Sequence, residues 1–454
     1  MEELKTNDLT SGNLFKKLLF YSIPIILSGI LQLLYNAADL IVCGQFGSLH
    51  STAAISSTNS LINLIINFFL GLSVGANVLM ARCLGENNKE KAHRVAYTAM
   101  IYSVSFGLIV GLFGYFTSRF FLELMGTNLE VIDLSSQYLK IYFIGVPFSM
   151  IYNFGASLLR GVGDTKRPFI ILTLSGVFNV GLNLLFVIAF NMDVPGVALA
   201  TIISQGISAI LIVIILFKNN VFFRLHLKEF RFYKREGLEI VKIGLPAGIQ
   251  GAIFSFSNVL IQSSINSLGV EVTDGSGASS SLEGFIYTAM NSVAQGCVAF
   301  VSANYGAMKK ENIKKSVIYS CILVFIMNVI TAGLILLFRY PLIHLYVKSD
   351  IATEAAIKRL MIISLTYFLC GFMDTFAFAI RGIGYSLTPM IVSLLGACGL
   401  RILWIVLFFN NIDSLHNIEG LAMSYPISWF ITSAVHLSIF IILYNKRLNF
   451  KVEE

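Results

Sequence analysis

Asp39 is the side chain with the clearest chemical claim. It is the one ionisable residue in the stretch LLFYSIPIILSGILQLLYNAADLIV, from Leu18 to Val42. A bare carboxylate is costly in hydrocarbon, so an acid there holds a proton, holds a cation or pairs with a neighbour. Reversible proton or Na⁺ exchange would couple an ion to a second ligand; the plainer role is a carboxylate hydrogen-bonded between helices. Gln32 and Tyr35 precede Asp39 by seven and four residues, so a helix places them on its face, with Asn36 beside them. These three are candidate cavity-lining residues, although a tyrosine equally fits packing or an interfacial anchor. Asn179 and Asn183 lie four apart and share a helix face; amide packing between helices is their simpler role. Asn153, Glu283 and Asp374 complete the candidate cavity set. Arg401 lies deep in an apolar span and needs a partner; by depth Glu283 suits it better than Asp374. These charges read equally as an ion pair within one half of the molecule or as substrate-binding groups.

Other chemistries find no residues to carry them. The six histidines form no HExxH, and the six cysteines (Cys43, Cys83, Cys297, Cys321, Cys370 and Cys398) show no CxxC spacing. They read as small packing residues, not as a disulfide framework or a zinc site. GVGDTK, from Gly161 to Lys166, lacks the GxxxxGKS/T spacing of a phosphate loop, so ATP drive is unsupported. The chain is therefore expected not to be an enzyme. No catalytic residue, resident metal or cofactor is expected beyond a transported H⁺ or Na⁺.

The elements that must position these residues are membrane helices. The chain has 454 residues, 56% hydrophobic and 13% charged, with mean hydropathy +0.78; a soluble domain carries about 25% charged residues. A helix from Leu18 to Val42 rises ~37 Å against ~30 Å of hydrocarbon. Twelve such spans are predicted, at about 18–42, 53–80, 95–118, 134–158, 169–190, 194–217, 240–268, 279–303, 316–338, 358–380, 388–409 and 419–444. The first is expected to stay in the protein and not to be a cleaved signal. Alternate segments counted from the N-terminus carry 25 of the 32 Lys and Arg, the intervening ones carry 6, and Arg401 falls inside a span. That asymmetry puts both termini in the cytoplasm. The net charge of +7 thus reports orientation, and no nucleic-acid partner is expected. The basic, aromatic stretch 218–239 reads as a cytoplasmic linker lying on an anionic leaflet, or as a partner-binding helix.

The chain also repeats itself. Pro24, Gly29, Asn36 and Gly47 recur as Pro246, Gly251, Asn258 and Gly269, each 222 residues later. Arg160, Gly161, Gly163 and Pro168 recur as Arg381, Gly382, Gly384 and Pro389, while Gly75 and Gly85 recur as Gly296 and Gly306, all at 221. Gly196 and Ala198 recur as Gly420 and Ala422 at 224, and Asn153 is the counterpart of Asp374 at 221. Asp39 is not copied: its partner position is Ile261. Six spans per repeat is even, so both halves enter from the same face as a parallel repeat, the architecture of alternating-access transporters. The expected fold is an all-α integral membrane protein with twelve helices in two pseudo-symmetric six-helix lobes, 1–217 and 240–454, joined by the linker 218–239.

This ordered set of segments resembles the multidrug and toxic compound extrusion (MATE) family, in its DinF-like branch. The resemblance rests on LYNAADLIVCGQFG, ARCLGE (Ala81 to Glu86), LLRGVGDTKRP, SLEGFIYTAMNS (Ser281 to Ser292) and AIRGIGYSLTP, and it spans essentially the whole chain. It implies two lobes around a central cavity and efflux of organic cations driven by inward Na⁺ or H⁺. In that branch the first-lobe cation site takes Asp from helix one, Asn and Asp from helix five, and Thr from helix six. Asp39, Asn179 and Thr201 match it, and Asn183 stands where an acid is expected. Other branches place an acid on helix seven, eight residues after its proline; here that residue is Phe254.

The expected function is an ion-coupled antiporter exporting cationic or amphipathic organic compounds across a prokaryotic cytoplasmic membrane. Its partners are the small-molecule substrate and membrane lipid, and it is expected to act as a monomer. A flippase for a lipid-linked precursor is the alternative within transport, but it would call for a more cationic cavity. A non-transporting scaffold or receptor fits poorly with an intramembrane acid and a parallel repeat.

Overall fold

Twelve apolar runs become twelve long helices among the described residues, because a backbone in lipid must satisfy its own hydrogen bonds. The computed structural model describes residues 8–48, 50–218 and 222–448. The spans, numbered α1 to α12, are Leu14–Phe46, Ser51–Gly85, Lys89–Leu124, Ile132–Gly161, Lys166–Ala189, Asp193–Lys218, Lys234–Asn266, Val270–Gly306, Lys310–Leu337, Asp350–Ile383, Leu387–Phe409 and Ile418–Lys446. Lys5 and Lys451 of the orientation count, residues 219–221 of the linker and both extreme ends of the expected lobes lie outside the described residues.

The repeated Arg-Gly-x-Gly segments end helices. Gly163 and Gly384 adopt φ of +86° and +110°, a conformation open to glycine, and each donates its N–H back to the carbonyl of Arg160 or Arg381 at 3.0 and 2.8 Å. Two helices start earlier than their hydropathy suggests. α8 begins at Val270 and α10 at Asp350, where 279 and 358 were expected. The polar stretch GSGASSS resembles a loop but is packed helix. Its small residues admit α10 so closely that a Cβ on Gly275 would lie 2.1 Å from the Ala352 carbonyl oxygen. Arg359 consequently lies inside a span and is buried, a correction to the reading of Arg401 as the one intramembrane arginine.

The chain divides into two compact units, and their borders fall at the repeated prolines. One unit holds Leu27–Leu245; the other holds Leu9–Ile26 together with the chain from Pro246 onward. α1 and α7 therefore each change units beside a residue that cannot donate a backbone hydrogen bond. Within the second unit, Tyr21 meets Phe300 edge-on at 5.5 Å and Phe15 meets Tyr319 at 5.6 Å. Asn304 and Asn312 donate to the carbonyls of Leu9 and Thr10 at 3.0 and 2.9 Å.

Within the first unit, the start of α7 lies against α2. A Cβ on Gly75 would sit 2.2 Å from the Ile240 carbonyl oxygen, and on its counterpart Gly296 it would meet Ser22 Oγ at 3.1 Å. The repeated glycine thus makes room in each unit for the opening half of a proline-bearing helix. The linker folds back on α3: Tyr97 Oη donates to Glu229 at 3.1 Å, His226 N donates to Tyr97 Oη at 3.0 Å, and Phe222, Phe223 and Leu225 are buried. Between α6 and α7 its described residues hold a single helical turn, Leu227–Glu229, while 234–239 belong to α7, so this part packs as a strap and not as a surface helix.

Candidate functional site

Three helices of the first unit bring the candidate coupling residues together. α1 carries Asp39, α5 carries Asn179 and Asn183 one turn apart, and α6 carries Thr201. Asn183 is fully buried and its Nδ2 donates a short hydrogen bond to Asp39 Oδ1 and a 3.3 Å bond to Asn179 Oδ1. Asn179 Nδ2 in turn donates to Thr201 Oγ1 at 3.5 Å. The four residues form one chain of polar contacts. Just beyond Asn183, α5 widens into a π-helical turn, Leu185–Ala189, a local break that recurs at functional sites.

The donor set is all oxygen. Asp39 has no cationic partner among the described residues, and Asn183 Oδ1 is buried without one. A buried acceptor left open beside a carboxylate is a place for a donor or a cation. The carboxylate, two amide oxygens and the Thr201 hydroxyl are hard ligands of the kind Na⁺ takes, and the carboxylate alone can take H⁺. No cluster of three His, Cys, Asp or Glu side chains occurs among the described residues.

The neighbours of Asp39 on α1 are arranged differently. Tyr35 is half-buried, donates to the Thr173 carbonyl at 3.3 Å, and its ring occupies the space a Cβ on Gly176 would need. Gln32 and Asn36 are exposed. Asn153 on α4 is half-buried and donates to Ser149 Oγ at 3.4 Å. Tyr138 on α4 lies within electrostatic reach of Asp39 and was not singled out from the sequence; a tyrosine amid an apolar span carries no signal of its own.

Within the second unit, the charges pair otherwise than expected. Glu283 receives Arg359 at both carboxylate oxygens, 2.9 Å from Nε and 3.0 Å from Nη2, and accepts from Ser279 Oγ at 2.7 Å. Arg401 is not its partner. Arg401 donates to Ser428 Oγ at 3.0 Å and stacks over the rings of Tyr425 and Trp429 at 4.2 and 5.5 Å. The expectation failed because α10 starts eight residues early, so its first turns bring Arg359 down beside α8. Asp374 is buried and accepts from Asn291 Nδ2 at 3.0 Å. Nearby, Arg381 donates to Gln250 Oε1, whose Nε2 donates to Ser393 Oγ at 3.1 Å. The repeated arginine is therefore part of a buried network that also takes in α7 and α11.

Comparison with known proteins follows the repeat. The sequence profile of the MatE family matches residues 24–185 and again 246–407. The probable multidrug resistance protein YoeA of Bacillus subtilis is 24% identical over 408 residues, covering 88% of each chain. YpnP of the same organism, also a probable multidrug resistance protein, is 30% identical over 300 residues, 64% of this chain and 66% of its own. Among solved structures, the outward-facing conformation of a multidrug resistance MATE family transporter of the MOP superfamily superposes with a TM-score of 0.90 at 22% identity, over 96% of this chain and 97% of that one.

Proposed function

The chain belongs to the MatE family of multidrug efflux transporters, and on that premise we propose that it is an antiporter exporting cationic or amphipathic organic compounds in exchange for H⁺ or Na⁺. The observation that carries this reading is Asp39. It is a carboxylate on a membrane helix whose partner is the neutral amide of Asn183, so its charge is free to be neutralised by an ion and restored when the ion leaves. Antiport requires that ion and substrate bias one two-state element in opposite directions. Ion-loaded, the site is neutral and favours one packing of α1, α5 and α6; emptied, it favours the binding of an organic cation.

Alternating access would then use α1 and α7. Both change compact units beside Pro24 and Pro246, and a helix lacking one backbone hydrogen bond bends there at low cost. The lysine and arginine distribution supports cytoplasmic termini in a bacterial plasma membrane. The purified protein in liposomes, given an imposed Na⁺ or pH gradient and a fluorescent organic cation, tests the proposal. Gradient-dependent accumulation is expected, and the effective gradient names the ion. Transport indifferent to both gradients would overturn it.

A further inference from the structure

The second unit holds a groove that the transport reading leaves unused. It is about 490 Å³, within the ~300–1,000 Å³ typical of ligand-holding cavities, and lies between α9, α10 and α12. Its walls are Ile318, Cys321 and Ile322 of α9, Phe376 of α10 and the apolar face of α12. Its polar groups collect at one end, where Lys314 of α9 lies across from Tyr444 and Asn445 of α12. Lys314, Ile318, Cys321 and Ile322 fall at helical spacing on one face, so ~12 Å of apolar wall runs inward from the lysine.

The charge around that end is lopsided. Lys314 lines it, and Lys310 Nζ lies 4.8 Å from the centre of the Tyr444 ring. Glu311, next to Lys310, accepts from Tyr444 Oη at 3.2 Å. Lys314 is exposed and has neither an ion pair nor a hydrogen bond among the described residues. An apolar slot ending in a lysine without an ion pair among the described residues, at the edge of a membrane span, matches one molecule: a phospholipid with an anionic headgroup.

We infer that this groove is a specific site for an anionic phospholipid, with one acyl chain along Ile318, Cys321 and Ile322 and its phosphate against Lys314. The site is independent of Asp39 and of the ion that drives transport. Its selectivity comes from the headgroup, because any lipid could fill the apolar part.

Native mass spectrometry of the full-length protein in detergent, supplied with phosphatidylglycerol or phosphatidylcholine of the same chains, provides the test. Phosphatidylglycerol should be retained preferentially. Lys314→Gln should reduce its retention about fivefold, the factor one basic residue contributes at an anionic surface, while Lys314→Arg keeps it. Ile322→Trp, placed from an exposed position, should reduce retention of both lipids by filling the slot. Equal retention of the two lipids by the unaltered protein, or unchanged phosphatidylglycerol retention in both Lys314→Gln and Ile322→Trp, would overturn the assignment. Displacement of the lipid by the fluorescent organic cation would instead assign the groove to transport substrate.

Discussion

The same four positions of the repeat carry an acid, two amides and a hydroxyl in one unit, and two isoleucines, an arginine and a tyrosine in the other. In the first unit Asp39, Asn183, Asn179 and Thr201 join through hydrogen bonds. Shifting the first three by the 222 residues that separate the two family matches (246 − 24) gives Ile261, Ile405 and Arg401. Shifting Thr201 by the 224 that relates Gly196 to Gly420 gives Tyr425. Ile261 and Ile405 are buried together in one apolar cluster with Ile265, Phe409 and Leu421, and Tyr425 packs against it. The fold therefore brings these positions together twice, and only one copy carries an acid. Helix packing does not require Asp39; an isoleucine satisfies the equivalent place. The proposed ion exchange gives a carboxylate there a use that packing does not. Glu283 supplies the contrasting case within the second unit, an acid whose charge Arg359 already neutralises in place.

The largest effect should come from erasing the difference. Asp39→Asn preserves shape and hydrogen bonding but fixes the neutral state. Inserted, folded protein that has lost all gradient-driven export is expected, with Asp39→Glu retaining part of the activity. The measurement is export by proteoliposomes at matched protein content. Full gradient dependence in the Asn variant would move the coupling acid elsewhere, and Asp374 would be examined next.

A smaller effect separates the two acids. Arg359→Gln leaves Glu283 buried without its cation and should destabilise the protein by about 3–5 kcal/mol. Gradient dependence should nevertheless persist in the fraction that remains folded. Thermal unfolding in detergent reads the first part and proteoliposomes the second; loss of coupling at undiminished stability would make Glu283 a transport residue. Smaller again is Ile261→Asn, which puts an amide among Ile265, Ile405 and Phe409 without a partner and should cost about 1–3 kcal/mol. No cost at all would mean that the apolar cluster is looser than its burial indicates.

How far the sequence revealed this site depended on the kind of signal. Asp39 stood out because an acid in an apolar run breaks the pattern, and Asn179 with Asn183 because four-residue spacing shares a face. The prolines and glycines announced the repeat, and Gly75 with Gly296 turned out to mark close helix approaches. Pairing among charges in the second unit was not legible. It depended on where α8 and α10 begin, and hydropathy read their polar first turns as loops. The exchange of half-helices at Pro24 and Pro246 was also hidden, since partner choice lies in tertiary packing and not in the hydropathy of the run.

The finest test adds to the first-unit site what the resemblance leads one to expect there. Asn183 Nδ2 donates to Asp39, so Asn183→Asp removes a donor and sets two carboxylates a hydrogen bond apart. Like charges that close cannot both stay bare, and a cation between them relieves the repulsion. Na⁺ affinity tracks the number of charged oxygen ligands. A second carboxylate should therefore tighten Na⁺ binding by about tenfold, which is ~1.4 kcal/mol. Protons should compete with that Na⁺ more strongly than in the unaltered protein, because either acid can take one. Na⁺ titration of the purified protein by calorimetry at two pH values measures both effects. If Na⁺ affinity is unchanged in Asn183→Asp, and Asn179→Ala also leaves transport intact, the α5 pair serves packing. Asp39 would then work as a lone proton carrier, and the contrast between the two units would reduce to a single acid.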